Sequence, residues 1–353
     1  MTFEEFKDKI LAVAKANAKN ITIVKNDQGY APGGQNGPYF DIETPIRNSA
    51  HWCVIYATLS REYPNEGFDE IAHSLANYLI SPPEFIRNGV YVHRQKHGKD
   101  WSNGVIGQGW VIEALAIAGR MLEREDLTSH AKKVASKFSF DTKVCAWKRI
   151  DPRTGKSAID YTLNHQLWYA AALAELDDPT HNAHIRSFLT LLNRGAMRTG
   201  GEGRVLHLLY SKSIKGLILR ARYAITRIRS GNSLKAKEIG YHLYNLHPLA
   251  RLKKGFGDHE LFQSSVVEIA VEYTKTDAFF NDLDSNKYSY PYNSPAFELP
   301  LVKAAFKVDI PLERFVDRQL EKTYWEQDGN FGFYRGCPDP MTLNARVYEA
   351  LLF

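Results

Sequence analysis

The chain has 353 residues, of which 44% are hydrophobic and 24% charged, as in ordinary soluble globular proteins. Its formal net charge of +5 is too small to indicate nucleic-acid binding by itself. Its 3 cysteines are far apart, which argues against a disulfide framework and a cysteine-based zinc site. The amino-terminal stretch lacks the apolar core of a signal peptide, and no stretch approaches the roughly 20 apolar residues of a membrane span, so we expect a cytoplasmic protein.

Apolar residues recur with a period near 3.6 along most of the chain, which predicts a succession of amphipathic helices. Three of these helices begin with a polar residue followed by proline, which is typical of an N-cap before a first-turn proline: Thr44-Pro45, Ser294-Pro295 and Asp339-Pro340. The predicted helical segments are 4–18, 44–61, 67–80, 105–123, 128–137, 161–176, 181–195, 213–229, 236–253, 259–273, 295–306, 311–324 and 340–352.

Signals for a sheet are few. Residues 88–95 are the best strand candidate, and the aromatic, glycine-containing segments 147–155 and 325–336 are predicted as loops. The chain has no βαβ rhythm, no dinucleotide-binding glycine motif and no P-loop. We therefore predict one all-α domain over residues 1–353. Because no repeat of about 34 or 40 residues is visible, a closed ring of helical hairpins, the (α/α)6 toroid, is favoured over an open solenoid.

Four polar clusters, each containing aromatic residues, lie at or near predicted helix starts. They are Asp41, Glu43, Arg47, His51 and Trp52; Asp100, Trp101, Asn103, Gln108 and Trp110; Asp160, Tyr161, Asn164, His165 and Trp168; and Tyr241, His242, Tyr244, Asn245, His247 and Arg251. A single histidine on such a helix is more often a hydrogen-bonded core residue than a catalytic one. Four comparable clusters favour a shared polar cleft. We predict that this cleft is lined by Asp41, Arg47, Trp101, Asn164, His165, Tyr241 and His242.

Two motifs carry a resemblance to a known family. "LNHQLWYAAALAEL" (163–176) resembles the Asn-Asn-His-x-x-Trp-Ala element of the alginate lyases that are toroids of helical hairpins. "GYHLYNLHPLARL" (240–252) resembles their later Tyr-His-Asn-Phe element. More broadly, the chain is similar to the six-hairpin glycosidase superfamily and to uncharacterised proteins encoded near bacterial exopolysaccharide genes.

The resemblance implies that Asn164 neutralises a uronate carboxylate and that His165 and Tyr241 transfer protons. Two departures from the lyase pattern stand out. Leu163 replaces the second asparagine, and Lys235 and Lys237 occur where the lyases have an arginine before the tyrosine. Lysine supplies charge but not the bidentate fork of arginine.

Two cleavage reactions fit these residue types. β-Elimination next to a uronate requires a neutralised carboxylate, a base and an acid, which Asn, His and Tyr can supply without a metal. Hydrolysis requires two carboxylates instead, and the candidates are Asp41, Glu43, Asp160, Glu260 and Glu298. Asp160 is the strongest of them because it precedes the Asn164-His165 pair, although helix N-capping is an alternative role.

The predicted catalytic residues are therefore His165, Tyr241, Asn164 and Asp160. The predicted substrate-binding residues are Asp41, Arg47, His51, Trp52, Trp101, Trp110, His242 and Arg335. No metal or cofactor is expected, because His51, His165, His242 and His247 lack the spacing of a known zinc motif.

The segment 211–230 carries basic residues and no acidic residue, together with an apolar side. Such a helix can lie on an anionic membrane surface, can offer its cations to an acidic polysaccharide, or can simply be solvated. We expect a carbohydrate-active enzyme that cleaves an acidic, uronate-containing glycan of bacterial exopolysaccharide or capsule metabolism. It is expected to work in the cytoplasm or at the surface of the inner membrane, without nucleic acid as a partner. The alternatives are a non-catalytic glycan-binding or assembly factor on the same scaffold and a helical-repeat interaction protein.

Overall fold

The computed structural model describes residues 2–24, 28–82, 84–229 and 231–352, and most of them are helical. The α-helices are α1 (Phe3–Ala18), α2 (Ile46–Glu62), α3 (Phe68–Ile80), α4 (Ile106–Met121), α5 (Glu125–Ala135), α6 (Leu163–Ala174), α7 (Pro179–Leu191), α8 (Ile214–Arg229), α9 (Gly231–Gly240), α10 (His242–Phe256), α11 (Ser265–Tyr273), α12 (Asp277–Asp284), α13 (Pro295–Phe306), α14 (Leu312–Thr323) and α15 (Pro340–Ala345). Short 3₁₀ segments occupy Gly37–Tyr39, Glu260–Gln263 and Arg346–Leu351.

Six helical segments form a closed inner ring. In order they are α2, α4, α6, α10, α13 and the 3₁₀ segment Arg346–Leu351, which contacts α2 again. Every residue of α4 from Ile106 to Gly119 is buried, as expected for a helix that is enclosed on all sides. The outer helix α5 buries only one stripe, formed by Leu127, Ala131, Val134 and Ala135. Because α3, α5, α7 and α14 pack outside their ring partners, the architecture is the predicted (α/α)6 toroid, and that prediction is confirmed.

Strands are short and form local antiparallel hairpins. They are β1 (Thr22–Val24), β2 (Gln28–Tyr30), β3 (Ile86–Arg87), β4 (Val90–Tyr91), β5 (Phe140–Asp141), β6 (Ala146–Ile150), β7 (Ser157–Ile159), β8 (Tyr324–Gln327) and β9 (Asn330–Phe333). The order within the three-stranded sheet is β5-β6-β7, and the other strands pair as β1-β2, β3-β4 and β8-β9.

Several boundaries differ from the sequence prediction. Within the predicted strand 88–95 only Val90–Tyr91 is a strand, which pairs with Ile86–Arg87 in a short hairpin, and both predicted loops contain strands. Asp328 and Gly329, both at positive φ, form the tight turn between β8 and β9 that an Asp-Gly pair favours. The predicted helix 236–253 is interrupted at Tyr241, which has a non-helical backbone (φ −97°, ψ 3°). Helix α12 was not predicted.

The polar residues before the three prolines have different roles. Asp339 accepts a hydrogen bond from the N–H of Thr342 and caps α15 as predicted. The hydroxyl of Thr44 instead donates to the carbonyl of Val92, and that of Ser294 donates to Gln319 Oε1. The predicted hydroxyl caps at Thr44 and Ser294 are therefore wrong, because tertiary partners take the hydroxyls. Ser294 does occupy the N-cap position, with Pro295 in the first turn of α13.

Buried ion pairs cross-link the inner ring. Arg346, which is 0% exposed, donates through Nη2 to Glu298 Oε1 at 2.6 Å and through Nε to Glu349 Oε1 at 2.8 Å. Arg251 of α10 pairs with Glu113 of α4 and lies 3.0 Å from Glu175. The ring interior is thus held by charged contacts as well as by apolar packing.

Candidate active site

A cavity of about 190 Å³ opens where the starts of five inner-ring helices meet. Its walls come from the segment before α2, the starts of α4 and α6, the region around the start of α10, and the segment before α13. The lining residues are Asn36, Tyr39, Asp41, Arg94, Lys99, Asn103, Ile106, Trp110, Thr162, Asn164, His165, His207, Lys237, Tyr241, Tyr244 and Tyr292. Because helix amino termini carry partial positive charge, this end of the ring favours an anionic ligand.

Asp160 and His165 form a pair beside the cavity. The carboxylate Oδ2 of buried Asp160 lies 2.8 Å from His165 Nδ1 and 3.1 Å from the N–H of Val105, which donates to it. Its Oδ1 accepts from the N–H of Thr162 at 3.0 Å. Burial by itself would raise the pKa of Asp160, but His165 and the two backbone N–H groups lower it to about 2. Asp160 therefore stays ionised and accepts the Nδ1 proton of His165.

This arrangement leaves the other ring nitrogen of His165 available. His165 is half-buried and lines the cavity, and within the described part of the chain its Nε2 has no hydrogen-bond partner. A carboxylate that fixes one nitrogen of an imidazole orients the ring and leaves Nε2 as a proton acceptor. His165 can therefore act as a general base toward a ligand in the cavity.

Gly104 makes room for this pair. Its φ of +68° follows Asn103 at +54°, a tight turn that an Asn-Gly dipeptide favours. A Cβ at Gly104 would overlap both the Asp160 carboxylate and the His165 imidazole. Its N–H donates to Asp100 Oδ2 at 2.8 Å, which fixes the turn. Glycine is thus required here both by backbone conformation and by space.

Asn164 presents an unsatisfied amide to the site. The side chain is 2% exposed and lines the cavity, and its Oδ1 has no hydrogen-bond partner among the described residues. Buried polar atoms are normally paired. The Asn164 amide is therefore available to a ligand.

A tyrosine pair and a lysine form another wall. The hydroxyls of Tyr241 and Tyr39 lie 3.0 Å apart, and burial raises the pKa of Tyr241, so its phenol is a proton donor rather than a phenolate base. Lys237 Nζ lies 3.2 Å from His207 Nε2. Burial, with a smaller contribution from Lys99, lowers the pKa of Lys237 to about 8. Lys237 is still mostly charged at neutral pH.

Positive charge exceeds negative charge in the cavity wall. Among the described lining residues, Arg94, Lys99 and Lys237 are cationic, and Asp41 is the one carboxylate. Asp41 is itself neutralised, because its oxygens lie 3.2 Å from Arg94 Nη1, 2.5 Å from Lys96 Nζ and 3.9 Å from Lys99 Nζ. The net field inside the cavity therefore favours an anion.

Five of the residues predicted as catalytic or substrate-binding line the cavity: Asp41, Trp110, Asn164, His165 and Tyr241. Asp160 does not line the cavity itself but contacts His165, which does.

Three of the predicted binding residues lie in the protein interior. Arg47 is buried, 3.2 Å from Glu43 Oε2, and its guanidinium lies over the Trp110 ring. His51 stacks on Tyr348. Trp52 stacks on Tyr56. None of the three lines the cavity.

The other three also lie away from the cavity. His242 Nδ1 accepts from the N–H of Val205 at 3.1 Å and its Nε2 donates to the Ala270 carbonyl at 2.9 Å, as in a core histidine. Trp101 donates through Nε1 to the Lys96 carbonyl. Arg335 is exposed and donates to the Glu321 carbonyl.

The remaining carboxylate candidates have other partners or positions. Glu43 pairs with Arg47, Glu298 pairs with Arg346, and Glu260 is exposed at the start of a 3₁₀ segment. Lys235 contacts Glu202 at 3.3 Å outside the cavity, so Lys237 is the lysine of that segment that reaches the site.

Sequence reasoning missed lining residues that come from irregular segments. They include Asn36, Tyr39, Arg94, Lys99, His207 and Tyr292. No local periodicity marks them, because each lies outside the α-helices.

The described residues contain no group of three or more His, Cys, Asp or Glu placed to hold a metal ion. Over the same residues, no helix is both long and apolar enough to cross a membrane.

Comparisons with known proteins place the chain in a family. No protein-family model matches it. The chain is 31% identical over 360 residues to archaeal glycosylation protein Q of Haloferax volcanii, and the match covers 96% of this chain and 95% of that protein.

Solved structures share the fold at low sequence identity. Cellobiose 2-epimerase from Bacillus thermoamylovorans matches with a TM-score of 0.65 and 11% identity, over 99% of this chain and 98% of that one. Unsaturated glucuronyl hydrolase from Bacillus sp. GL1 matches with a TM-score of 0.60 and 12% identity, over 99% of this chain and 96% of that one. These two similarities concern the fold alone. By its identity to the Haloferax volcanii protein over nearly the whole of both chains, the chain belongs to the family of archaeal glycosylation protein Q.

Proposed function

We propose that this protein is a carbohydrate-processing enzyme whose cavity takes a uronate-containing saccharide and removes the proton next to the sugar carboxylate. The observation that carries the proposal is the Asp160–His165 pair, which faces a cavity with an excess of positive charge. The name of the Haloferax volcanii relative supports a glycan made for glycosylation rather than an exopolysaccharide. The resemblance to alginate lyases remains a prediction from two sequence motifs.

Each catalytic requirement has a residue in the cavity wall. The charged Lys237 opposes the charge that grows on the sugar carboxylate as its neighbouring C–H bond breaks, and the N–H groups of the Asn164 amide can donate to the same carboxylate. His165 Nε2 takes that proton, while Asp160 stabilises the imidazolium that forms. In β-elimination the C–O bond on the next carbon breaks, a C=C bond forms, and Tyr241 donates a proton to the leaving oxygen. Reprotonation of the same carbon from the opposite face would give an epimer instead.

Two-carboxylate hydrolysis fits the cavity less well. That reaction needs a protonated carboxylic acid and a second carboxylate that acts as base or nucleophile. Asp160 cannot serve as the acid because its pKa is about 2, and Asp41 is surrounded by three cations. Elimination is therefore the cleavage that we favour.

A panel of acidic saccharides tests the function. We expect the protein to convert at least one uronate-containing saccharide, with rising ultraviolet absorbance from an unsaturated uronate. An epimer formed without this absorbance would assign the same proton abstraction to an epimerase. New reducing ends without absorbance would indicate hydrolysis and contradict the mechanism. Binding without any conversion would favour the non-catalytic glycan-binding alternative.

We further propose that the predicted basic segment 211–230, whose last residue lies outside the described residues, contacts an anionic membrane surface. Helix α8 places Ile214, Ile218, Ala221 and Ile225 within an arc of about 60°, at 100° per residue, and all four are exposed. The opposite side faces the protein, because Tyr223 donates a hydrogen bond to Glu238. An apolar stripe that faces solvent is typical of helices that lie in a membrane interface.

One flank of this stripe is basic. Lys215, Arg222 and Arg229 are exposed on the same side of the stripe, at about 50–90° from its centre. Each cation near an anionic surface contributes about 1 kcal/mol, so changing all three to Gln should weaken binding to phosphatidylglycerol vesicles by roughly 100-fold. Co-sedimentation measures this binding.

A matched control removes the same charge elsewhere. Lys132, Lys133 and Lys143 are exposed on and near α5 and β5, and changing all three to Gln should leave vesicle binding nearly unchanged. Equal losses in both triple variants would show that only net charge matters. If the wild-type protein ignores anionic vesicles at physiological salt, the proposed membrane contact is wrong.

A further inference from the structure

Two exposed apolar side chains stand at the mouth of the cavity. Phe40 is 61% exposed and Ile42 is 79% exposed, whereas Asp41 between them is fully buried. The residues on either side of Phe40, Tyr39 and Asp41, both line the cavity. Phe40 therefore lies on the rim, where it projects outward while its neighbours face inward.

The backbone of Phe40 is held in an unfavourable conformation. Its φ of +50° lies in the left-handed region, which costs a bulky non-glycine residue on the order of 1–3 kcal/mol. Such a conformation persists only where the surroundings impose it.

The contacts of the loop show how the conformation is imposed. The N–H groups of Gln35 and Gly37 donate to Asp339 Oδ2 at 3.0 Å and 2.8 Å. Lys96 Nζ donates to the carbonyl of Phe40 at 3.3 Å, and the N–H of Asp41 donates to the carbonyl of Gln35 at 2.9 Å. The ring of Phe40 is thus presented to solvent by a firmly bonded loop rather than by a loose one.

We propose that Phe40, with Ile42 beside it, is a stacking platform for the sugar ring that follows the one in the cavity. This inference rests on the proposed function, because it takes the cavity as the saccharide site. A cavity of about 190 Å³ has room for a short ligand, so a longer saccharide must extend across the rim. There the apolar C–H face of a pyranose ring covers an aromatic face and removes it from water.

Saccharides of graded length test the platform. The probes are glucuronic acid and glucuronate-containing oligosaccharides of increasing length, and calorimetry measures their affinity. Wild-type protein should bind a disaccharide or longer chain more tightly than glucuronic acid itself. Phe40→Asn keeps a residue that tolerates positive φ but removes the ring, and should bind the longer saccharides roughly 2- to 10-fold more weakly than wild type. Phe40→Trp should retain the tighter binding.

Ile269→Asn is the matched control, because Ile269 is an exposed apolar residue on α11 that does not line the cavity. It should bind every saccharide as the wild type does. Equal affinity of wild-type protein for all lengths, or equal behaviour of Phe40→Asn and Phe40→Trp, would overturn the platform alone. Failure of wild-type protein to bind any acidic saccharide would overturn the proposed function. Loss of vesicle binding in Phe40→Asn with unchanged saccharide affinity would assign the rim to membrane contact and overturn the platform.

Discussion

Replacing His165 by Gln should reduce turnover of the uronate substrate by roughly 10²- to 10⁴-fold, the usual contribution of a positioned acid or base. Glutamine keeps a donor that can reach Asp160, so the ionised carboxylate retains a partner. Because His165 is half-buried at the cavity wall, we expect the melting temperature to change little. Steady-state kinetics together with a thermal melt measure both effects.

His242 provides the contrasting variant. It is fully buried with both ring nitrogens bonded, so His242→Ala should cost about 1–3 kcal/mol of folding stability and should leave the catalytic groups in place. Tyr241→Phe tests proton donation at constant ring size and should also slow turnover. Full activity in folded His165→Gln would show that the Asp160–His165 pair is structural.

Replacing Arg346 by Met should destabilise the protein by about 3–5 kcal/mol, because Glu298 and Glu349 would be left buried without their cation. Burial raises the pKa of both carboxyl groups, and Arg346 opposes this effect. Without Arg346 the two carboxyl groups would be protonated in the folded state but ionised in the unfolded state at neutral pH. Folding would then require proton uptake, which costs more free energy as the pH rises. The deficit should therefore grow as the pH rises from about 5 to about 8. Urea unfolding at several pH values measures it.

Arg318→Met is the control for this variant. Arg318 pairs with Asp284 and Glu321 at the protein surface, where a salt bridge contributes at most about 1 kcal/mol. Similar losses in the two variants, or a deficit at position 346 that does not depend on pH, would contradict the structural role assigned to the buried network.

The helical toroid could be predicted because its helices carry strong periodic signals. Segments such as 295–306 are recovered with the same bounds, since an apolar helix in the inner ring needs no other signal. The hairpins were less visible, because β3, β4 and β5 have two residues each, which is too short for an alternating pattern. The hydroxyls of Thr44 and Ser294 also could not be assigned, since their acceptors are distant in the sequence.

The location of the site could be predicted from the sequence, but the side chains that line it could be predicted only in part. Polar clusters at helix starts pointed to one end of the ring, where Asn164, His165 and Tyr241 line one cavity. Within a cluster, however, adjacent residues point in different directions. Tyr241 lines the cavity, whereas His242, the next residue, bonds to Val205 and Ala270 inside the protein. Composition identifies the cluster, but the rotation of each helix about its axis decides which member reaches the ligand.

Solvent deuterium incorporation shows whether His165 removes the proton next to the sugar carboxylate. A uronate-containing saccharide that binds is incubated with wild-type protein in deuterium oxide and analysed by NMR at the carbon next to the carboxylate. If His165 Nε2 removes this proton, recovered or epimerised sugar should carry deuterium at that carbon, and an unsaturated product should have lost the proton. His165→Gln should show no such exchange. If a saccharide that wild-type protein binds and converts keeps this proton, His165 does not remove it and the proposed mechanism is wrong.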